Sequence, residues 1–343
     1  METFFVKDKN TESKIILGEK LKNINKYLPA KKVVIITDTV VNNLYVDNLK
    51  DFDIIEIGLG EQVKNLQTTE NIIKKLLDFN SDRNTFLLGI GGGIVCDITG
   101  FVASVFMRGI DFGFVPTSLL SQVDASIGGK NGVNFRGYKN IIGIFNQPQF
   151  VICDIDLLKT LPQKEINCGL GEIIKHSIIA GNDFFDFINR NIDKIKQNDL
   201  TVLYDLIKMS IKLKIKIVNN DINETANRRI LNLGHTIAHA IENQTNLSHG
   251  EAVTVGIKFA VDFSETKGFI SVDENKKIKK LINDLNLVKN IDIDKKQLIS
   301  AIKKDKKKNK NSINFVFVKS AGNVFYKSIL INELEEFING YKF

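Results

Sequence analysis

Short β-branched runs alternate with segments of helical period through the first part of this chain, and few architectures accept that alternation. Lys32–Thr37 (KVVIIT) and Ile54–Ile57 read as buried strands. Thr68–Phe79 has helical spacing, with Ile72, Ile73, Leu76 and Leu77 on one side. Thr85–Ile90 is a third strand, and Gly113–Val115 lies near a fourth. Strands separated by helices need crossover connections, which implies a largely parallel sheet with helices on its faces. After Pro162 the texture changes. Glu165–Ala180, Asp183–Ile195, Leu200–Asn219, Arg229–Asn243, Ala252–Lys267 and Glu274–Leu285 all read as helices, and only Asn314–Val318 looks like a later strand. The expectation is an α/β domain with a mostly parallel sheet over residues 1–160 and a mainly α-helical domain over residues 161–343. A chain of 343 residues suits two cores better than one. Pro29, Pro116, Pro148 and Pro162 all fall at element edges, where a missing N–H does least harm.

Composition excludes several classes. Hydrophobic content of 43% with 25% charge is that of an ordinary globular protein. No run approaches the roughly 18 uncharged apolar residues of a membrane span. The opening METFFVKDKN has no basic flank followed by an apolar stretch, so no secretory leader is read. The net charge of +7 comes from lysines spread along the chain. One dense cluster, Lys303–Lys310, has six lysines in eight positions. It reads as a solvated stretch or an anion-binding loop before a nucleic-acid site. A mild positive field also suits a small anionic substrate. Cys96, Cys153 and Cys168 are too sparse for a disulfide framework or a zinc knuckle, and they read as inert buried thiols of a reducing cytoplasm.

Three features carry chemistry. Gly89-Ile90-Gly91-Gly92-Gly93 follows a strand and precedes the helical stretch Ile94–Phe106. Glycines at such a turn let backbone N–H groups approach a pyrophosphate, and the helix N-terminus adds its positive end. Ile94 takes the place of the last glycine of the usual dinucleotide fingerprint, so a tight structural turn is the competing reading. Asp38, directly after the first strand, is placed to bond a ribose or to close a turn. Third, three of the chain's four histidines lie between residues 235 and 249. His235 and His239 share a helix face, Thr236 stands where a zinc protease has its glutamate, and His249 follows a short polar turn. The best carboxylate to join them in a metal site is Glu172, in the segment Gly169–His176.

At this point whole segments match a family. GIGGGIVCDITGFVAS, FMRGIDFGFVPTSLLSQVDASIGGKNGVN, YKNIIGIFNQP, GLGEIIKHS, RRILNLGHTIAHAIE and HGEAV together resemble 3-dehydroquinate synthases, discontinuously from Asp38 to Lys307. The family belongs to the sugar phosphate cyclases and is similar in fold to iron-dependent alcohol dehydrogenases. The resemblance implies that the α/β domain binds NAD and that the helical domain binds metal and substrate. It puts a metal, usually zinc with cobalt as the alternative, on Glu172, His235 and His249, and makes His239 an active-site residue instead of a ligand. It puts NAD on Asp38, Glu61 and Lys64 of the GEQVK turn, Gly91, Gly92, Gly93, Asp97, Thr117, Ser118, Lys139, Thr160 and Leu161. It puts the sugar phosphate on Asp124, Lys130, Asn140, Lys175, Lys214, Arg228, Asn232 and His239, with Lys306 as a further contact. Arg108 would reach the phosphate pocket of a neighbouring subunit, implying a homodimer. The implied reaction is transient oxidation by NAD, elimination of phosphate, re-reduction, and aldol closure of a ring. Lys130, Asn140, Asn232 and His239 favour this branch over cyclases that make inosose or valiolone rings, while a simple polyol dehydrogenase of the related fold would differ by accumulating NADH. Two departures stand out. Ser118 replaces a threonine, which keeps a hydroxyl, and the turn before His249 is shorter than in many members.

Overall fold

A computed structural model describes residues 1–7, 12–45, 49, 51–242, 244–287, 291–305 and 311–343. Two expectations fall outside them: the helix end at Asn243, and the lysine cluster from residue 306 to 310, Lys306 included. The chain forms two compact units. One comprises Met1–Leu161 with Lys214–Asn223, the other Pro162–Leu213 with Glu224–Phe343. Among the described residues, no helix is long and apolar enough to cross a membrane.

The first unit is built on strands β1 (Glu2–Lys7), β2 (Glu12–Leu17), β3 (Val33–Asp38), β4 (Asp53–Ile57), β5 (Phe86–Gly91), β6 (Phe112–Pro116), β7 (Lys130–Phe135), β8 (Tyr138–Phe145) and β9 (Phe150–Cys153). Seven of them form one sheet in the order β1-β2-β9-β6-β5-β3-β4. All its pairings are parallel except β1 with β2. Every residue of β5, β6 and β9 is buried, which is why these strands are continuous apolar runs and not alternating ones. β7 and β8 form a separate antiparallel ribbon. Three helices join these strands: α1 (Thr39–Tyr45), α2 (Leu66–Asp78) and α3 (Gly93–Val105). The Asn65 side chain caps α2 by accepting the Thr68 N–H at 2.9 Å. Ile72 and Leu76 of α2 are buried, but Leu77 is 55% exposed; one residue further round the helix turns it away from the sheet.

The second unit holds α4 (Gln163–Ala180), α5 (Asn182–Arg190), α6 (Ile192–Lys196), α7 (Leu200–Asn220, grouped with the first unit from Lys214 on), α8 (His235–Glu242), α9 (His249–Thr266), α10 (Val272–Leu285), α11 (Lys295–Asp305) and α12 (Ile331–Gly340). Two strands, β10 (Ser312–Ser320) and β11 (Asn323–Leu330), pair as a hairpin. Three expected elements differ. Asp183–Ile195 is two helices, broken at Asn191. Arg229–Asn243 is a 3-10 turn, Asn227–Asn232, then α8, separated at Gly234 by a positive φ of 80°. And α9 begins at His249, three residues before the apolar period shows it, because a capping box and not a hydrophobic stripe starts it. There the Ser248 N–H and hydroxyl both reach Glu251 Oε2, at 2.7 and 2.8 Å. Phe259 and Phe263 near the other end of α9 pack against Phe315 of β10 and Phe337 of α12, with ring centroids 4.7–6.3 Å apart. That aromatic cluster anchors α9 to the hairpin.

After β2, the Glu19 carboxylate accepts the Asn23 amide at 2.8 Å, the Tyr27 hydroxyl at 2.5 Å and the Lys20 N–H at 2.8 Å. These bonds, Asn23's foremost, hold its carboxyl down at about 2. A depressed carboxyl contributes stability that is present above its unfolded value and lost as pH falls through its folded value. Glu19→Gln is therefore expected to lower the thermal midpoint at pH 6. Its deficit relative to the parent should shrink as pH falls from about 4.5 towards 2. A deficit that stays constant over that window would exclude this role for Glu19.

Candidate active site

The strand order reverses between β3 and β5: β4 continues outward on one side of β3, while β5 lies on the other. In open parallel sheets such a switch point leaves a crevice outside the carboxyl ends of the strands. The sequence-derived nucleotide residues gather at that edge. Asp38 ends β3, Glu61 and Lys64 follow β4, Gly91 ends β5, Thr117 and Ser118 follow β6, and Thr160 and Leu161 follow β9. Gly92 caps α3, Gly93 opens it and Asp97 lies in its second turn. Lys139 is the exception, on the exposed ribbon strand β8.

The glycines at this edge do different jobs. A Cβ on Gly91 would lie 2.5 Å from Val95 Cγ2, so packing alone demands glycine there. A Cβ on Gly92 would meet nothing nearer than Ser118 Oγ at 3.6 Å. The protein has room for a side chain at Gly92, so its absence leaves backbone open to something else. The Asp38 carboxylate is also employed locally: Oδ1 accepts the N–H groups of Val40 and Val41, both at 3.0 Å, and caps α1. Lys64 pairs with Asp97, and although burial opposes its charge, that carboxylate keeps its ammonium proton held more tightly than usual. Lys214 Nζ meets Asp124 Oδ1 at 2.5 Å and also the Asp124 carbonyl, joining two expected substrate residues from distant parts of the chain. Asn140 has a left-handed backbone, φ 51°, and donates its N–H to Asn134 Oδ1 at 2.8 Å. Lys130 is exposed at the start of β7. Arg108 sits in a strained turn, with Met107 and Arg108 at φ 47° and 71°.

The second unit gathers the histidines around a buried carboxylate. Glu172 is fully buried on α4, and Lys175, one turn on and only 2% exposed, pairs with its Oε2. Its Oε1 lies 3.4 Å from His249 Nε2 and 3.7 Å from His235 Nε2. Two donors on one tetrahedral ion, with bonds of about 2.0–2.2 Å, sit roughly 3.3–3.6 Å apart, so the three groups fit a single small cation. Two imidazoles and one carboxylate are also a donor set that zinc accepts in catalytic sites. Burial, followed by the Lys175 charge, pushes His235 well below the usual histidine range and keeps its ring neutral. Burial opposes charge on His249 too, but the hydrogen bonds it donates to Glu172 and Glu242 outweigh it and carry the group up to about 9.

His239 stands near these rings, its centroid 5.3 Å from that of His235 and 6.0 Å from that of His249. It is exposed, as is Asn232, whose amide donates to Glu224 Oε1 at 2.7 Å. Arg228, 1% exposed, lies in the 3-10 turn that packs on α4. The cysteines are buried, and burial raises Cys153 to about 12 and Cys168 to about 11. Sequence reasoning missed Glu242, which reaches His249 Nδ1 at 2.9 Å. Its place at the end of α8, seven residues before His249, was the one available signal.

Comparison with known proteins matches residues 54–168 to the family described as 3-dehydroquinate synthase N-terminal, and residues 169–308 to 3-dehydroquinate synthase C-terminal. The 3-dehydroquinate synthase of Pelagibacter ubique is 41% identical over 344 aligned positions, covering 93% of each chain. That of Alkaliphilus metalliredigens is 39% identical over 325, covering 91% of this chain and 90% of its own. Among solved structures, a 2-deoxy-scyllo-inosose synthase complexed with carbaglucose-6-phosphate, NAD+ and Co2+ superposes with a TM-score of 0.90 at 22% identity, covering 99% of this chain and 100% of its own. A 2-epi-5-epi-valiolone synthase from Streptomyces hygroscopicus, with NAD+ and Zn2+ bound, gives 0.86 at 21% identity over 97% of both chains. At these identities the two structures establish the fold.

The helices bearing Glu172 and His249 cross on glycines. A Cβ on Gly171 would lie 2.1 Å from the Gly250 carbonyl oxygen, and one on Gly250 would lie 1.8 Å from that of Cys168. Gly171→Ala must therefore push α4 and α9 apart, at a cost of about 1–3 kcal/mol or more. Differential scanning calorimetry should show a lowered midpoint, accompanied by weakened zinc binding. Gly340→Ala, with nothing within 4 Å, is the control expected to change neither.

Proposed function

Because the chain belongs to the 3-dehydroquinate synthase family, we propose that it converts 3-deoxy-D-arabino-heptulosonate 7-phosphate to 3-dehydroquinate and phosphate. The observation that carries this reading is the convergence of Glu172, His235 and His249 on one point, within the segment that matches the family's C-terminal part. We assign the metal to those three residues. NAD is assigned to Asp38, Glu61, Lys64, Gly91–Gly93, Asp97, Thr117, Ser118, Lys139, Thr160 and Leu161. When bound, NAD would take up and return a hydride, and the divalent cation would act as a Lewis acid at the oxidised hydroxyl.

The chain's own residues supply positioning and charge. The first N–H groups of α3 have no partner within the helix and form the positive pole of its dipole, which suits a pyrophosphate. Lys64, fixed by Asp97, brings a cation that cannot wander. Lys175 and Arg228 are cations in a low-dielectric setting, where attraction to a phosphate or carboxylate is screened far less than at a surface. Arg228 adds the planar fork that matches both anions. Asp124 orients the Lys214 ammonium. Lys130, Asn140, Asn232 and His239 are exposed side chains able to bond substrate hydroxyls, and His239 is the group among them suited to relay a proton.

We also infer that the chain self-associates, a reading supported by its exposed apolar ribbon. Tyr138, Ile141, Ile144 and Phe145 of β8 are 42–56% exposed, and Val105 and Met107 beside Arg108 are 44% and 36% exposed. Exposed apolar residues concentrated on one ribbon and the turn at Arg108 suit an interaction site. A second copy of the chain is the assigned occupant, giving a cytoplasmic homodimer in which Arg108 serves the neighbouring site.

Supplied with the heptulosonate phosphate, the protein should release phosphate in an NAD-requiring, chelator-sensitive reaction without accumulating NADH. Accumulation would point to a polyol dehydrogenase. Turnover of only sedoheptulose or glucose phosphate would point to another cyclase. His249→Ala should lose activity and metal together. Arg108→Ala and His249→Ala are each expected to be inactive alone. Mixed and re-equilibrated, they should regain about a quarter of the wild-type rate, since half the dimers carry one complete site. No recovery despite subunit exchange would place Arg108 in its own subunit's site.

A further inference from the structure

A histidine can ligate a metal only through a ring nitrogen that carries no proton, so the hydrogen bond made by the other nitrogen decides which one is offered. His235 and His249 meet this requirement differently. His235 Nδ1 lies 3.2 Å from the Leu233 carbonyl oxygen, a neutral acceptor two residues away on its own strand of chain. His249 Nδ1 lies 2.9 Å from Glu242 Oε1, a carboxylate with only 6% of its side chain exposed. With Nδ1–H donated in each case, both rings turn Nε2 towards Glu172. Glu242 is the last residue of α8 and His249 the first of α9, so this contact spans the turn between the two helices.

We propose that Glu242 is a positioning residue for the metal centre: it fixes the ring and tautomer of His249 and, as an anion, makes His249 Nε2 a stronger donor than His235 Nε2. The inference rests on Glu172, His235 and His249 holding the metal. Glu242 also groups with His239 and His249 closely enough to be considered a ligand in a second site. Against this, its oxygen sits at hydrogen-bond distance from Nδ1, while the remaining nitrogen of His249 already faces Glu172.

Co2+ titration of the metal-free full-length protein tests the idea, with affinity measured by competition against a chromophoric chelator and the visible absorption of bound cobalt recorded. Wild type should bind one equivalent. Glu242→Ala should bind one equivalent about 10–100-fold more weakly, with a shifted cobalt spectrum. Glu242→Gln keeps an acceptor but loses the charge, so its affinity should fall between the two. If Glu242→Ala does not fold, Glu242→Gln carries the test, and wild-type affinity together with a wild-type spectrum overturns the proposal. Unchanged cobalt affinity in Glu242→Ala overturns it as well. So does a fall from two equivalents to one, which would make Glu242 a ligand. Failure of wild type and His249→Ala to differ in cobalt binding would instead overturn the metal assignment beneath it.

Discussion

A carboxylate removed from water must be met by positive charge or give up its own, and Glu172 is removed completely. The second unit is organised around that requirement. Lys175 answers one oxygen from the next turn of the same helix, and the two imidazole Nε2 atoms face the other. The requirement explains why the close crossing of α4 and α9 is built on Gly171 and Gly250: any side chain there would separate the acid from His249. It also explains the opposite protonation tendencies of two histidines that share one carboxylate oxygen. Burial and then the Lys175 charge hold His235 down, while His249, buried too, has a second carboxylate behind it.

The two candidate sites are built by different means. At the carboxyl edge of the parallel sheet, the features brought together belong to the backbone: strand ends, helix starts and a glycine with room to spare. Such a site depends on topology, and side-chain identity matters at few positions. The histidine site depends on side chains from three separate helices, each held by a local device. The Phe259 and Phe263 cluster fixes one end of α9, and the Ser248–Glu251 capping box fixes the other, where His249 is the first residue. Glu251 thereby has a structural task beside the site.

How much of this was legible in the sequence depended on burial. β3, β5 and β6 are buried along nearly their whole length, and their apolar runs located them to within a residue. The ribbon strand β8 is exposed at seven of its eight positions and carries no inward-outward pattern, so nothing marked it. The β1–β2 edge hairpin and the short β9 escaped for related reasons: partial exposure in the first case, four residues in the second. In the site, Glu172 and the histidines were legible because rare or ionisable residues were crowded together. The Lys214–Asp124 pair was not, since it joins residues 90 positions apart. Glu242 was hidden differently. A glutamate closing a helix reads as surface charge until the chain is seen to turn back on it.

The turn before His249 is shorter than in many members of the family, which on its face limits the reach of His249. The structure shows a contrary effect of shortness. A brief connection between α8 and α9 keeps the end of one helix beside the start of the next, and this is what allows Glu242 to touch His249. A longer loop would leave the same two residues to find each other at a larger entropic cost. The capping box acts in the same direction, since it sets the first turn of α9, and so the His249 backbone, before any cation arrives.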